Sequence, residues 1–303
     1  MNQINLNDPN VASIREKYKA EFYVIWLLGN QCTYKCSYCP SIFHDGSAKY
    51  QPTDVIQHVM KNLPKCNITF TGGEPTFHPD FEKIVLEKPD IVDISVISNA
   101  SRPLAFWERI ASKLRLVTLT YHMEYAIHDR FVSIAELVYK THKKMGSINL
   151  IMLPNRWEEC VQVYERLIEK GFRVVLKPLV ENFGVGATQT VKEYTQDQLN
   201  WISLKNKSSY KLISVIGQNN EVIYETTPAE LISLNQVNFE GWTCYTNTQC
   251  LCIDMIGDVY DTSCTQRTKV GNIYDGFTIS TEPLICNQKF CWCYSDIIPK
   301  KVK

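Results

Sequence analysis

Cys32, Cys36 and Cys39 lie in Gln31-Cys-Thr-Tyr-Lys-Cys-Ser-Tyr-Cys-Pro40 with the spacing C-x3-C-x2-C. Thiolates bind iron in iron–sulfur clusters, and a cubane has four irons to coordinate. Three close cysteines hold three irons and leave the fourth open to a small molecule. A structural zinc site wants four closed ligands instead. No fourth Cys or His stands at zinc-finger spacing here, although His44 is near. The spacing therefore points to a cubane with one open iron.

Seven more cysteines are crowded near the end of the chain: Cys244, Cys250, Cys252, Cys264, Cys286, Cys291 and Cys293. Between the two groups only Cys66 and Cys160 occur, and both are read as small core residues. Met1 to Glu21 has no apolar core of the kind a signal peptide needs, so a secreted disulfide framework is not expected. Clustered thiols in a reducing compartment imply metal, and two clusters imply two sites.

Two other motifs carry chemistry. Thr71-Gly-Gly-Glu-Pro75 pairs two glycines, which permit close approach that a Cβ would block, with a carboxylate, Glu74, able to accept from an ammonium. Ser98-Asn99 offers hydroxyl and amide groups at the end of an apolar run.

The elements that must position these groups follow a regular rhythm. Phe22–Leu28, Asn67–Thr71, Asp93–Ser98, Leu116–Tyr121, Ile148–Leu153 and Arg173–Pro178 are short apolar runs, as expected for strands buried on both faces. Helical spacing fills the gaps over Thr53–Lys61, Ala105–Leu114, Ile134–Met145 and Arg156–Lys170, the last stopped by Gly171. Alternating β and α implies a parallel sheet, and six units are too few for a closed eight-stranded barrel. The expected fold is a partial (β/α)6 TIM-like barrel over residues 1–180. Residues 181–240 form a connecting segment: a loop with Gly184 and Gly186, a hairpin of Tyr210–Ile216 with Glu221–Glu225, and a short helix begun by Thr227-Pro228. Residues 241–303 form a small cysteine-rich α+β unit, with a hairpin around Gly257-Asp258.

Lys+Arg and Asp+Glu both number 32, so no long-range attraction to nucleic acid or anionic membrane is expected. The early apolar run Phe22–Gly29 is too short to span a bilayer. A cytoplasmic location and a small-molecule partner are expected, with no membrane or nucleic-acid partner.

The first cysteine motif, with Tyr38 before its last cysteine, resembles the radical S-adenosylmethionine (radical SAM) superfamily signature C-x3-C-x-aromatic-C. In that family the open iron chelates the amino and carboxylate groups of SAM. The reduced [4Fe–4S] cluster then cleaves SAM to a 5′-deoxyadenosyl radical that abstracts hydrogen from substrate. The resemblance extends to Gly72, Gly73 and Glu74, matching the GGEP motif at the SAM amino group, and to Ser98 and Asn99, matching the ribose-binding position. It covers about residues 20–180. It implies an oxidoreductase-type enzyme fed by an electron donor such as flavodoxin or ferredoxin.

The late cysteines look like a SPASM/twitch extension holding an auxiliary [4Fe–4S] cluster. Cys244 and Cys264 are then ligands, with two more from Cys286, Cys291 and Cys293. Six residues separate Gly257 from Cys264 where SPASM members commonly have four, and the run of a second SPASM cluster is absent. Cys250 and Cys252 are left as extra ligands, buried thiols or, for one of them, a hydrogen-atom donor; Cys252 is carried forward as a catalytic candidate. His122 is the other, because it ends the fourth strand beside Tyr121 and Glu124 at the barrel mouth. Lys177 and Glu181 end the sixth.

These observations imply hydrogen abstraction from a polar small molecule, such as a sugar or cyclitol, followed by oxidation, epimerisation or rearrangement. Modification of a ribosomally made peptide is the alternative; only about twenty residues precede the first strand, which tells mildly against a leader-binding domain. A non-catalytic two-cluster electron carrier is the distant third, since such a carrier needs neither GGEP nor an open iron.

Overall fold

The computed structural model describes residues 5–17, 22–142, 147–181, 190–206 and 212–303. A strand that the sequence pattern did not reveal, β1 (Val11–Glu16), precedes the expected series. The six parallel strands are β2 (Phe22–Leu27), β3 (Cys66–Thr71), β4 (Val92–Ser98), β5 (Leu116–Tyr121), β6 (Ile148–Met152) and β7 (Val174–Pro178), paired in chain order. Between them run α1 (Thr53–Asn62), α2 (Phe81–Leu86), α3 (Leu104–Ile110), α4 (His128–His142) and α5 (Trp157–Glu169). α1 turns Ile56, Val59 and Met60 inward, and α5 turns Cys160, Val163 and Leu167, both at helical spacing. Gly171, at φ +80°, ends α5 in the left-handed conformation with its N–H on the Ile168 carbonyl.

The expectation of strands apolar on both faces gives way to alternation. Val24, Trp26, Ile68, Phe70, Ile94, Val96, Val117 and Leu119 are buried in the main core. On the opposite face the same strands carry Asn67, Thr69, Ser95, Thr118, Thr120, Asn149 and Lys177. The helices cover only one face, and the other lines the concave interior of an open barrel.

The remaining strands are β8 (Ile213–Gly217), β9 (Val222–Thr226), β10 (Thr243–Cys244), β11 (Cys250–Ile253), β12 (Asp258–Tyr260), β13 (Lys269–Asn272), β14 (Gly276–Phe277), β15 (Leu284–Ile285) and β16 (Lys301–Val302). Four short helices accompany them: α6 (Gln196–Asn206), α7 (Pro228–Ser233), α8 (Thr246–Gln249) and α9 (Tyr294–Ile297). The expected hairpins appear as β8–β9 and β11–β12. α7 starts as anticipated, with Thr227 Oγ1 accepting from Glu230 N at 3.0 Å. Gly184, Gly186, Tyr210 and residues 143–145 of the expected helix Ile134–Met145 lie outside the described residues.

β11 pairs parallel to β2, so the late hairpin caps an edge that would otherwise be open, and β12–β14 extend it to a ten-stranded sheet. Buried Gln51 ties this joint. It accepts from Trp26 Nε1 at 2.6 Å and donates to the Asp254 carbonyl at 2.7 Å. A second, antiparallel sheet has the order β15-β10-β16-β1-β8-β9 and joins strands from early, middle and late sequence. No helix among the described residues is long and apolar enough to cross a membrane.

Candidate active site

Cys32, Cys36 and Cys39 occupy the loop that leaves β2, at the C-terminal end of the parallel sheet. Barrel folds place their chemistry at that end. A turn from Cys39 N to Cys36 O at 3.0 Å folds the loop back on itself. Burial pushes all three thiols up to about 11, so deprotonation has to be driven by metal binding. Cys32 Sγ already faces donors suited to a thiolate: Tyr34 N at 3.3 Å and Asn99 Nδ2 at 3.5 Å. Three mutually close thiols with amide donors fit a cubane. Among the described residues no three His, Cys, Asp or Glu side chains converge on a single-ion site. A cubane takes one thiolate per iron and needs no such convergence.

Gly72 and Gly73 are required by the chain's own backbone. A Cβ on Gly72, at φ +123°, would lie 2.5 Å from the Gly29 carbonyl, and one on Gly73 would lie 2.4 Å from that of Gln31. Gly73 N and Glu74 N donate to those same carbonyls at 3.1 and 2.7 Å. The motif is thereby laced to the root of the cysteine loop.

Glu74 is only 2% exposed, and its carboxylate is largely occupied within the protein. Oε1 accepts from Thr76 N (3.2 Å), Thr76 Oγ1 (2.6 Å) and Ser98 Oγ (2.8 Å), while Oε2 accepts from Asn99 N (2.7 Å). Burial raises its pKa, and these donors oppose that rise. The carboxylate joins the ends of β3 and β4, holding Ser98 and Asn99 beside Cys32. Ala100 follows at φ +59°, a left-handed conformation uncommon outside glycine, fixed by a bond from its N–H to Ser98 Oγ at 3.1 Å.

Tyr38 and His122 meet. Tyr38 Oη is 2.6 Å from His122 Nδ1, the rings are stacked, and the same nitrogen lies 3.6 Å from Cys36 Sγ. Burial pushes the His122 imidazolium down to about 4, which keeps the ring neutral. Read from sequence as a group at the barrel mouth, His122 is found against the cysteine loop. Glu124 likewise receives Ser37 N at 2.8 Å. Tyr121 instead packs on His128 and Phe131, away from the mouth.

The late cysteines fall into two sets that meet where Cys293 lies in electrostatic range of Cys291 as well as of Cys250 and Cys252. Cys244, Cys286 and Cys291 belong to the second buried core with Phe239 and Trp242, and Cys264 lies within electrostatic range of Cys244, Cys286 and Cys291. Cys250 and Cys252 sit on β11 in register with Tyr23 and Ile25, and Cys293 Sγ contacts Ser263 Oγ (3.5 Å) and Ser295 Oγ (2.9 Å). Lys177 is within electrostatic range of Cys293. Between the groups stands buried Asp296, which accepts from Thr246, Thr262 and Ser263 hydroxyls. Lys301, 1% exposed, reaches the carbonyls of Asp296, Ile297 and Pro299. Nothing in the local sequence marks Asp296 or Lys301, because each acts through partners brought together by the fold. Cys66 and Cys160 are buried, as expected.

The model of the Radical SAM superfamily matches residues 26–188. A GTP 3',8-cyclase of Pasteurella multocida (strain Pm70) is 25% identical over 181 residues, 56% of this chain and 47% of the relative. One from Haemophilus ducreyi (strain 35000HP / ATCC 700724) is 24% identical over 213 residues, 66% of this chain and 55% of the relative. The chain thus spans about half the length of the curated relatives it matches. Among solved structures, Streptococcus suis SuiB bound to precursor peptide SuiA aligns with a TM-score of 0.57 at 14% identity, over 90% of this chain and 66% of that one. Native anSMEcpe with bound AdoMet aligns with a TM-score of 0.51 at 18% identity, over 84% and 79%. Both share the fold. With its open parallel sheet, its cysteine loop and a family match over more than half its length, the chain belongs to the radical SAM superfamily and is an enzyme that uses a [4Fe–4S] cluster and SAM.

Proposed function

We propose that this enzyme abstracts a hydrogen atom from a polar, hydroxyl-rich small molecule, such as a sugar, cyclitol or sugar-bearing nucleotide. The observation that carries this reading is the concave face of the sheet, where Thr69, Thr118, Thr120, Asn149 and Lys177 replace the Val, Ile and Leu of the helix-covered face. Hydroxyl, amide and ammonium groups suit a ligand that must be oriented by hydrogen bonds. The curated relatives, named as GTP 3',8-cyclases, also point to a small molecule.

In this reading Cys32, Cys36 and Cys39 hold the SAM cluster. Together, the bound cluster and SAM supply one-electron cleavage to a 5′-deoxyadenosyl radical. Gly72 and Gly73 bring the backbone close to the SAM amino group, Tyr38 borders the cofactor, and Asn99 with Ser98 is placed for the ribose. Glu74 keeps one lone pair on Oε2 for the ammonium while its other acceptor sites brace the motif. Cys244, Cys264, Cys286 and Cys291 hold an auxiliary cluster of the twitch type. Cys293, grouped with them by sequence, is assigned with Cys250 and Cys252 to the substrate side. Cys252 remains a thiol that can return hydrogen to a product radical. A flavodoxin- or ferredoxin-class protein supplies the electron.

One observation favours a second reading, peptide modification: a structural neighbour, SuiB, is bound to a precursor peptide. The test is deuterium transfer. Anaerobic enzyme, SAM and reductant should form 5′-deoxyadenosine, and a deuterated sugar or nucleotide substrate should label it. Label arriving only from a deuterated peptide would overturn the small-molecule reading.

A further inference from the structure

Three residues after β5 grip the whole middle of the cysteine loop. Tyr125 stacks on Tyr34 with ring centroids 5.2 Å apart, and its hydroxyl donates to the Lys35 carbonyl at 3.0 Å. Glu124 accepts from both Ser37 N and Ser37 Oγ. His122 lies edge-on to Tyr34, stacks on Tyr38, and brings Nδ1 to 2.6 Å from Tyr38 Oη and 3.6 Å from Cys36 Sγ. Five consecutive residues, 34 to 38, are thus contacted by a segment more than eighty residues away in the chain.

We propose that His122 is a positioning residue of the SAM cluster: with the Tyr38 hydroxyl it fixes Cys36 and delivers a hydrogen bond to its sulfur, which raises the reduction potential of the cluster. The proton arrangement follows from the chemistry of the partners. Cys36 as an iron-bound thiolate only accepts. The Tyr38 hydroxyl has one proton to give. With His122 Nδ1–H shared between Tyr38 Oη at 2.6 Å and Cys36 Sγ at 3.6 Å, that proton is left for Cys36 Sγ, so each donor has an acceptor. Hydrogen bonds to cluster sulfurs stabilise the more negative, reduced state, and they are one of the levers that set the potential. This inference rests on membership of the radical SAM superfamily and is independent of the substrate proposed above.

The test uses the full chain, reconstituted anaerobically, with potentiometric titration followed by the paramagnetic signal that shifts on SAM addition. That signal distinguishes the SAM cluster from any auxiliary one. Tyr38→Phe and His122→Ala should keep their iron and show a more negative midpoint than the parent. Formation of 5′-deoxyadenosine should fall several-fold with a flavodoxin-class donor and recover with a stronger chemical reductant. His122→Gln, which keeps an N–H donor, should fall between parent and His122→Ala. Midpoints unchanged in both Tyr38→Phe and His122→Ala would overturn the proposal. So would a raised substrate KM in His122→Ala at an unchanged midpoint, the mark of a substrate contact. If His122→Ala does not take up the cluster, Tyr38→Phe, which removes a single oxygen atom, decides alone.

Discussion

The two cysteine-rich regions bring their thiols together by opposite routes. Cys32, Cys36 and Cys39 share one loop, and the fold has only to brace it, through Gly72 and Gly73 just after β3, Asn99 just after β4 and the segment after β5. Cys244, Cys264, Cys286 and Cys291 come from separate places. Cys244 ends β10 and Cys286 follows β15; β10 pairs with β15 and with β16 from the end of the described chain. The Cys291 N–H bonds to the Val237 carbonyl at 2.9 Å, and Cys264 N to Thr262 Oγ1, itself held by Asp296. A local site survives as a motif, whereas a dispersed site depends on the packing that assembles it.

That contrast is broken most severely at the first site. Replacing Cys32, Cys36 and Cys39 together by Ala should abolish 5′-deoxyadenosine formation while about four irons remain in the late region. Anaerobic iron analysis and a SAM cleavage assay check both halves. An iron-free but folded variant would show that the late cysteines hold no cluster.

Gly73→Ala tests whether bracing matters as much as ligation. Its Cβ would fall 2.4 Å from the backbone oxygen of Gln31, which no rotamer change relieves. Overpacking of this kind costs about 1–3 kcal/mol. The expected result is a lower thermal midpoint together with loss of iron from the first site, although all twelve cysteines are intact. Full iron loading and unchanged SAM cleavage would mean that the loop tolerates a shifted root.

The smallest effects separate the late thiols. Cys264→Ala should lose about four irons and lower the thermal midpoint, since a small loop-rich region depends on its metal for order. Cys293→Ser should leave the iron content unchanged, because Cys293 Sγ already faces the Ser263 and Ser295 hydroxyls and is proposed to lie on the substrate side. Iron loss in Cys293→Ser, with none in Cys264→Ala, would exchange the roles of the two groups.

The local features could be read from residue order alone. Strands β2 to β7 were legible because each is a short apolar run between helices at 3.6-residue spacing, and Cys32–Cys39, Gly72–Glu74 and Ser98–Asn99 because their neighbours in sequence are their neighbours in space. The alternation of polar residues through Asn67, Thr69 and Ser95 was present in the sequence, but the apolar residues beside it masked its meaning. Other features rest on tertiary contacts alone: His122 meets Tyr38, β11 completes the edge of β2, β1 and β16 share a sheet, and Cys293 meets Ser263. Each of these pairs residues distant in the chain or sets a short strand's partner, and such contacts leave no periodic signature. They are fixed by which edges and faces remain uncovered once the local elements have formed.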